Sequence, residues 1–216
     1  ACTETGVVAV DWPAGRTEVV ADLCADDPDL RCNDSSVDAH GRLWVGTMSM
    51  TFRRGVGALH RVEPGGVAAV VLDGLDMPNG MGWSPDGTTM YLVDTFARTI
   101  WTMEFDLDRG TVGDRRPLVR ADGSAGLPDG LAVDVDGRLW VAWFRGAAGR
   151  VYDSGGTLVG ALDAPTWQVT SVAFGGDRLR DLYVTSASEH LTIDERATQP
   201  LAGAVFRLPA AGCGQA

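Results

Sequence analysis

Lysine is absent from the 216 residues, and all 18 basic residues are Arg. Schiff-base chemistry and a Lys general base are therefore excluded. Long apolar runs are missing as well: a run such as residues 67–72 falls far short of the ~20 residues that a membrane span needs. The four cysteines (Cys2, Cys24, Cys32, Cys213) form no C-x-x-C pair, and none stands beside a His in a zinc-ligand pattern. Free thiols in a reducing, cytoplasmic setting are the expectation, with a Cys24 to Cys32 bridge as the alternative. No G-x-S-x-G nucleophile elbow occurs. Histidine is scarce, and His40, His60 and His190 all read as surface or loop residues. Positive charge is in deficit, with a formal net charge of −11, so the long-range field argues against nucleic acid or an anionic membrane as partner and favours cations. Long helical periodicity is also lacking.

What the chain does have is glycine, 28 residues, and one recurring stretch. Leu127 to Ala142 reads as two short apolar strands joined by Asp136-Gly137, the turn chemistry of a tight hairpin. The same pattern runs from Asn33 through Gly41 to Trp44, and from Asn79 through Gly87 to Tyr91. Asn33, Asn79 and Asp129 each precede their turn glycine (Gly41, Gly87, Gly137) by eight residues, and Val37, Trp83 and Val133 hold the apolar place four residues on. A looser fourth copy starts at Thr170. The aromatic anchors Trp44, Tyr91, Trp140 and Tyr183 are 47, 49 and 43 residues apart, a period within the range of propeller blades. All four read as blade core.

An all-β propeller follows, as one domain. Blades are expected over 31–76, 77–126, 127–165 and 166–208, with 1–30 forming the outer half of another blade around a hairpin and 209–216 a frayed tail. One helical turn is expected at 194–197. In a propeller, equivalent positions converge on one axis. Asn33, Asn79 and Asp129 thus bring two carboxamides and one carboxylate to one place, hard oxygen donors suited to Ca²⁺, Mg²⁺ or Mn²⁺. Thr170 is a weaker fourth member. Arg31, two residues before Asn33, should point to the same side of an extended strand, where it would bind an anionic or hydroxyl-rich ligand or else cover the blade rim.

The motifs Arg31-Cys32-Asn33-Asp34 leading to Gly41-Arg42-Leu43-Trp44-Val45-Gly46, Pro78-Asn79-Gly80 leading to Trp83-Ser84-Pro85-Asp86-Gly87, Pro128-Asp129-Gly130-Leu131-Ala132-Val133-Asp134, and Thr170 to Gly176 with Leu182-Tyr183-Val184 stand in one order. In that order the chain resembles the senescence marker protein, gluconolactonase and luciferin-regenerating enzyme family, which includes regucalcin. The resemblance implies a six-bladed propeller, of which about four and a half blades are expected here. It also implies one divalent metal (Ca²⁺ first, with Zn²⁺, Mg²⁺ or Mn²⁺ as alternatives) and hydrolysis of a small-molecule sugar lactone. By the same resemblance Asn79 and Asp129 are metal ligands, Asp129 is also the catalytic base, and Arg31 and Asn33 lie on the substrate side. Ser35 replaces the family's usual Gly, and the family's first blade, with a Glu-Gly-Pro motif completing the metal site, has no counterpart. Impaired activity of this chain alone is expected for that reason. The rival readings are a propeller that binds calcium or a sugar acid without turnover, and a protein-interaction propeller.

Overall fold

The computed structural model describes residues 1–124 and 126–215. A hairpin comes first, β1 (Gly6–Asp11) and β2 (Arg16–Asp22), antiparallel. A four-stranded meander follows: β3 (Leu30–Val37), β4 (Leu43–Ser49), β5 (Gly57–Val62) and β6 (Ala68–Leu75). The next sheet holds β7 (Pro78–Trp83), β8 (Thr89–Asp94), β9 (Thr99–Asp106) and, paired with β9, both β10 (Thr111–Val112) and β11 (Arg116–Arg120). The third meander is β12 (Leu127–Val133), β13 (Leu139–Phe144), β14 (Ala148–Tyr152) and β15 (Leu158–Asp163). The last sheet is β16 (Val169–Gly175), β17 (Asp181–Ser186) and β18 (Val205–Leu208), with α1 (Ile193–Thr198) in the β17–β18 connection. Four sheets in a propeller-like arrangement result. Their first strands β3, β7, β12 and β16 contact one another in that order.

The local causes are those expected. Gly41, Gly87, Gly137 and Gly176 have φ of 79°, 69°, 78° and 79°, which only glycine adopts without strain, so β3, β7 and β12 turn at their eight-residue mark, and β16 turns at Gly176, six residues after Thr170. The capping box of Thr192 and Glu195 starts α1.

Apolar side chains of each sheet pack on the next. Trp44, wholly buried, sets its ring 6.0 Å from Trp83 and 5.7 Å from Phe105 of the following sheet. Trp140 repeats the arrangement with Phe174 at 5.5 Å. Their indoles also close the hairpins from below: Trp44 Nε1 donates to Asp38 Oδ2 and Trp140 Nε1 to Asp134 Oδ2, each at 2.9 Å. Asp38 further accepts Arg42 Nε at 2.7 Å. Arg42 Nη2 in turn donates to the Leu107 carbonyl of the next sheet.

Two expectations are corrected. His60 is not a surface residue: it lies in β5, an interior strand covered on both faces, where it is 9% exposed with Nε2 3.3 Å from Thr47 Oγ1, and burial lowers its pKa. Nor is the tail frayed. Val135 N donates to the Cys213 carbonyl, Gly214 N to that of Leu179, and Gln215 Nε2 to that of Trp83 at 2.9 Å. Glycine permits this course, since a Cβ on Gly214 would fall 2.4 Å from Phe174 Cβ. Among the described residues no helix is long and apolar enough to cross a membrane, and all four cysteines are free thiols.

Candidate metal and catalytic site

All four first strands carry the same irregularity. Cys32 pairs with Thr47 and Ser35 with Val45, leaving Asn33 and Asp34 opposite the single residue Gly46. Likewise Asn79 and Gly80 oppose Val93, and Asp129 and Gly130 oppose Ala142. In β16 the extra residue is Thr170. These are β-bulges, which twist the strand and re-aim a side chain. The repeat residues Asn33, Asn79, Asp129 and Thr170 are therefore the bulged ones.

Two of them touch. Asn79 Nδ2 donates to Asp129 Oδ1 at 2.5 Å and to Thr95 Oγ1 at 3.0 Å. Asn33 Nδ2 donates to the Pro78 carbonyl at 3.0 Å, which ties it to the strand that carries Asn79. Thr170 Oγ1 lies 2.8 Å from Thr185 Oγ1 and is engaged within its own sheet. Arg31 Nη1 donates to the Cys32 carbonyl at 2.8 Å.

The close approach of the strands depends on glycine. A Cβ on Gly80 would fall 2.1 Å from Leu131 N, and one on Gly130 2.3 Å from Ser171 Oγ. A larger residue at either place would force neighbouring first strands apart and separate Asn79 from Asp129.

Electrostatics single out Asp129. Burial, and after it the charge of Asp34, push its carboxyl up to about 7, against the opposing effect of the Asn79 hydrogen bond. Burial also raises Asp34, whose one hydrogen bond among the described residues is from Ser35 N to Oδ1, at 2.7 Å. Sequence reading missed Asp34. The available signal was its place directly after the bulged residue, where the next two repeats have glycine.

A divalent ion fits this donor set by its chemistry. The groups are carboxylate and carboxamide only, and Asn79 Oδ1 accepts no hydrogen bond from the described residues. Among the described residues no three His, Cys, Asp or Glu side chains gather closely enough to cage a metal alone. An ion here would draw on amide oxygens.

A cavity of about 530 Å³ lies elsewhere, near the turn ends of the first strands, between Asp38, Trp83, Pro85, Val133, Phe174 and Gln215. Of its acids, Asp38 is already committed to Arg42 and Trp44, and Asp86 accepts from Ser84 and Thr88. At the bulge end, Asp129 and Asp34 accept hydrogen bonds from Asn79 and Ser35 and have no arginine partner among the described residues.

Residues 1–188 match the profile of the SMP-30/Gluconolactonase/LRE-like region. Pentonolactonase XacC of Haloferax volcanii is 38% identical over 193 residues, which cover 88% of this chain and 66% of that protein. Regucalcin of Danio rerio is 33% identical over 206 residues, 94% of this chain and 70% of that protein. The chain thus spans about two thirds of the length of these relatives. The crystal structure of a calcium-binding protein, regucalcin, from Agrobacterium tumefaciens superposes with a TM-score of 0.94 at 31% identity, over 99% of this chain and 72% of that one. The chain belongs to the SMP-30/gluconolactonase/LRE-like family.

Proposed function

We propose that this chain carries the site of a divalent-metal-dependent sugar lactone hydrolase, on a propeller of the six-bladed type, with Ca²⁺ as the favoured ion and Zn²⁺, Mg²⁺ or Mn²⁺ as alternatives. The observation that carries the reading is the direct contact of Asn79 with Asp129 at equivalent bulges, where Asp129 has no cationic partner among the described residues. The family and a relative named pentonolactonase support the substrate class.

Asn79 and Asp129 would hold the ion, with Asn33 beside them. When bound, such an ion supplies Lewis-acid polarisation of the lactone carbonyl. Asp129 would accept the proton of the attacking water and return it to the ring oxygen as the ester bond opens. Arg31 and Asn33 orient the sugar hydroxyls: Arg31 would swing its guanidinium from the Cys32 carbonyl, a local hydrogen bond that is readily exchanged. Binding of calcium or a sugar acid without turnover is the second reading, favoured by the description of the Agrobacterium neighbour as calcium-binding.

The test is hydrolysis of glucono- and pentonolactones followed in a pH-stat with added Ca²⁺, and again with chelator. Asp129→Asn should cost about 10²- to 10⁴-fold in rate while retaining the fold, and Asn79→Ala should mainly raise the metal concentration required. Wild-type activity in Asp129→Asn would remove Asp129 as base. Metal binding with no turnover of any lactone would favour the second reading.

A further inference from the structure

Each first strand carries its bulge near the end where the second strand of its sheet runs out: Leu30 pairs with Ser49, and Pro78 with Asp94. The loops that follow, residues 50–56 and 95–98, therefore flank the bulge residues rather than the turn glycines. Loop 95–98 touches them directly, since Thr95 Oγ1 accepts Asn79 Nδ2 at 3.0 Å. Phe96 is the next residue.

Loop 50–56 is clamped from two sides. Toward β3, Asp29 accepts Arg53 Nε at 2.8 Å and Thr51 N at 3.0 Å, two residues before Arg31. Toward β7, Asp76 accepts Arg54 Nη1 and Gly55 N, each at 2.9 Å, three residues before Asn79. Arg54 Nη1 also donates to the Phe96 carbonyl at 2.8 Å, and its guanidinium lies 5.4 Å from the centre of the Phe96 ring. Phe52 is thereby held between the entrances of the two strands that bring Arg31, Asn33 and Asn79, with its ring edge-on to Phe96 at 5.6 Å.

Packing does not account for a phenylalanine at this place. Phe52 has φ of 62°, in the left-handed region that disfavours a residue with a Cβ, and it is 55% exposed, so burial offsets little of that cost. An aromatic kept on a strained backbone and left open to solvent, while polar groups on both sides fix its loop, has the character of a binding surface. Sites for small molecules combine a few placed polar groups with an apolar or aromatic wall. The bulge residues supply the polar groups. A sugar lactone carries hydroxyls at its edge and C–H bonds on its faces, and such a face is matched by an aromatic ring.

We propose that Phe52, braced by Phe96, is the apolar wall of the substrate site, on which the C–H face of the lactone ring packs while Arg31 and Asn33 hold the hydroxyls. This rests on the lactonase reading above. Phe52 then sets affinity for the closed ring and takes no part in proton transfer.

The experiment compares wild-type residues 1–216 with Phe52→Ala, Phe52→Gly and Phe52→Tyr in added CaCl₂, by kinetics on glucono-1,5-lactone, by calorimetric binding of the uncharged lactam of the same ring, and by thermal melting. Covering the exposed half of one phenylalanine corresponds to about tenfold in affinity. Phe52→Ala and Phe52→Gly should therefore raise KM and the lactam Kd about tenfold, with kcat within about twofold of wild type. Phe52→Tyr keeps the ring and should keep both constants. Phe52→Gly should not lower the melting temperature, because glycine adopts this φ without strain. A fall in melting temperature with KM and lactam affinity unchanged would assign Phe52 a structural role and overturn the proposal. Wild-type constants in both Phe52→Ala and Phe52→Gly would likewise overturn it and leave the lactonase reading standing. If the wild type binds the lactam without turnover, the Kd values decide by the same criteria. A wild-type chain that neither hydrolyses the lactone nor binds the lactam would overturn both readings.

Discussion

In the metal-free chain, Asp129→Asn should increase stability at pH 8 and scarcely alter it near pH 4. The carboxyl sits at about 7 in the folded chain against an ordinary value of 3.8, because burial and the neighbouring Asp34 disfavour its charge. A folded-state pKa above the unfolded value means that the folded chain holds the proton more tightly. The corresponding stability is fully present below pH 3.8 and is lost as pH rises through about 7. Roughly three pH units at ~1.4 kcal/mol each give about 4 kcal/mol in total, of which about 2.5 kcal/mol falls between pH 5 and pH 8. An amide at this position removes the titration and still offers an oxygen to Asn79 Nδ2, so the hydrogen bond across the strands survives. Relief of Asp34 acts in the same direction. Urea unfolding in EDTA at pH 5 and pH 8 measures the effect, and the gap between variant and wild type should widen with pH. Parallel curves would refute the reasoning and mean that Asp129 ionises freely in the folded chain.

Two further outcomes follow from the packing. Asp38→Ala should cost about 3–5 kcal/mol, since it strands the buried guanidinium of Arg42 and the indole NH of Trp44, a loss readable in denaturant midpoints. Removal of residues 209–216 should cost about 2–4 kcal/mol, from hydrogen bonds of roughly 1 kcal/mol each at Val135, Gly214 and Gln215, together with the packing of Ala211 against the core of the last sheet; a truncated chain of unchanged melting temperature would contradict the tail's anchoring role.

The strand order and turns were legible because their cause is local. An apolar alternation bounded by Asp-Gly or Pro-Asp-Gly needs no knowledge of the rest of the chain, and the φ of Gly87 and Gly137 answers it directly. His60 was misread because alternation assumes one wet face, whereas β5 is covered on both. The tail was misread because Cys213 to Gln215 have no period of their own and pair with backbone groups of distant turns. Asp34 went unnoticed for another reason: an acid following Asn in a polar string reads as turn chemistry, and only the neighbouring charge of Asp129 gives it a different meaning.

The bulge explains why one spacing could locate these residues without revealing how they meet. In a propeller-like stack the two faces of each sheet are taken up by the adjoining sheets, as Trp44 on Trp83 and Trp140 on Phe174 show. A regular first strand would then present its side chains to its neighbours and only its backbone edge to the axis. One extra residue breaks that alternation and turns a side chain out of the face. It does so at the same rung in β3, β7, β12 and β16. The eight-residue interval from Asn33, Asn79 or Asp129 to its glycine is therefore the distance between a bulge and a turn, both fixed by the backbone. Changing the residue type at the bulge alters the chemistry offered to the axis while leaving the hairpin below it undisturbed, as the exchange of Asn79 for Asp129 between adjacent sheets already illustrates.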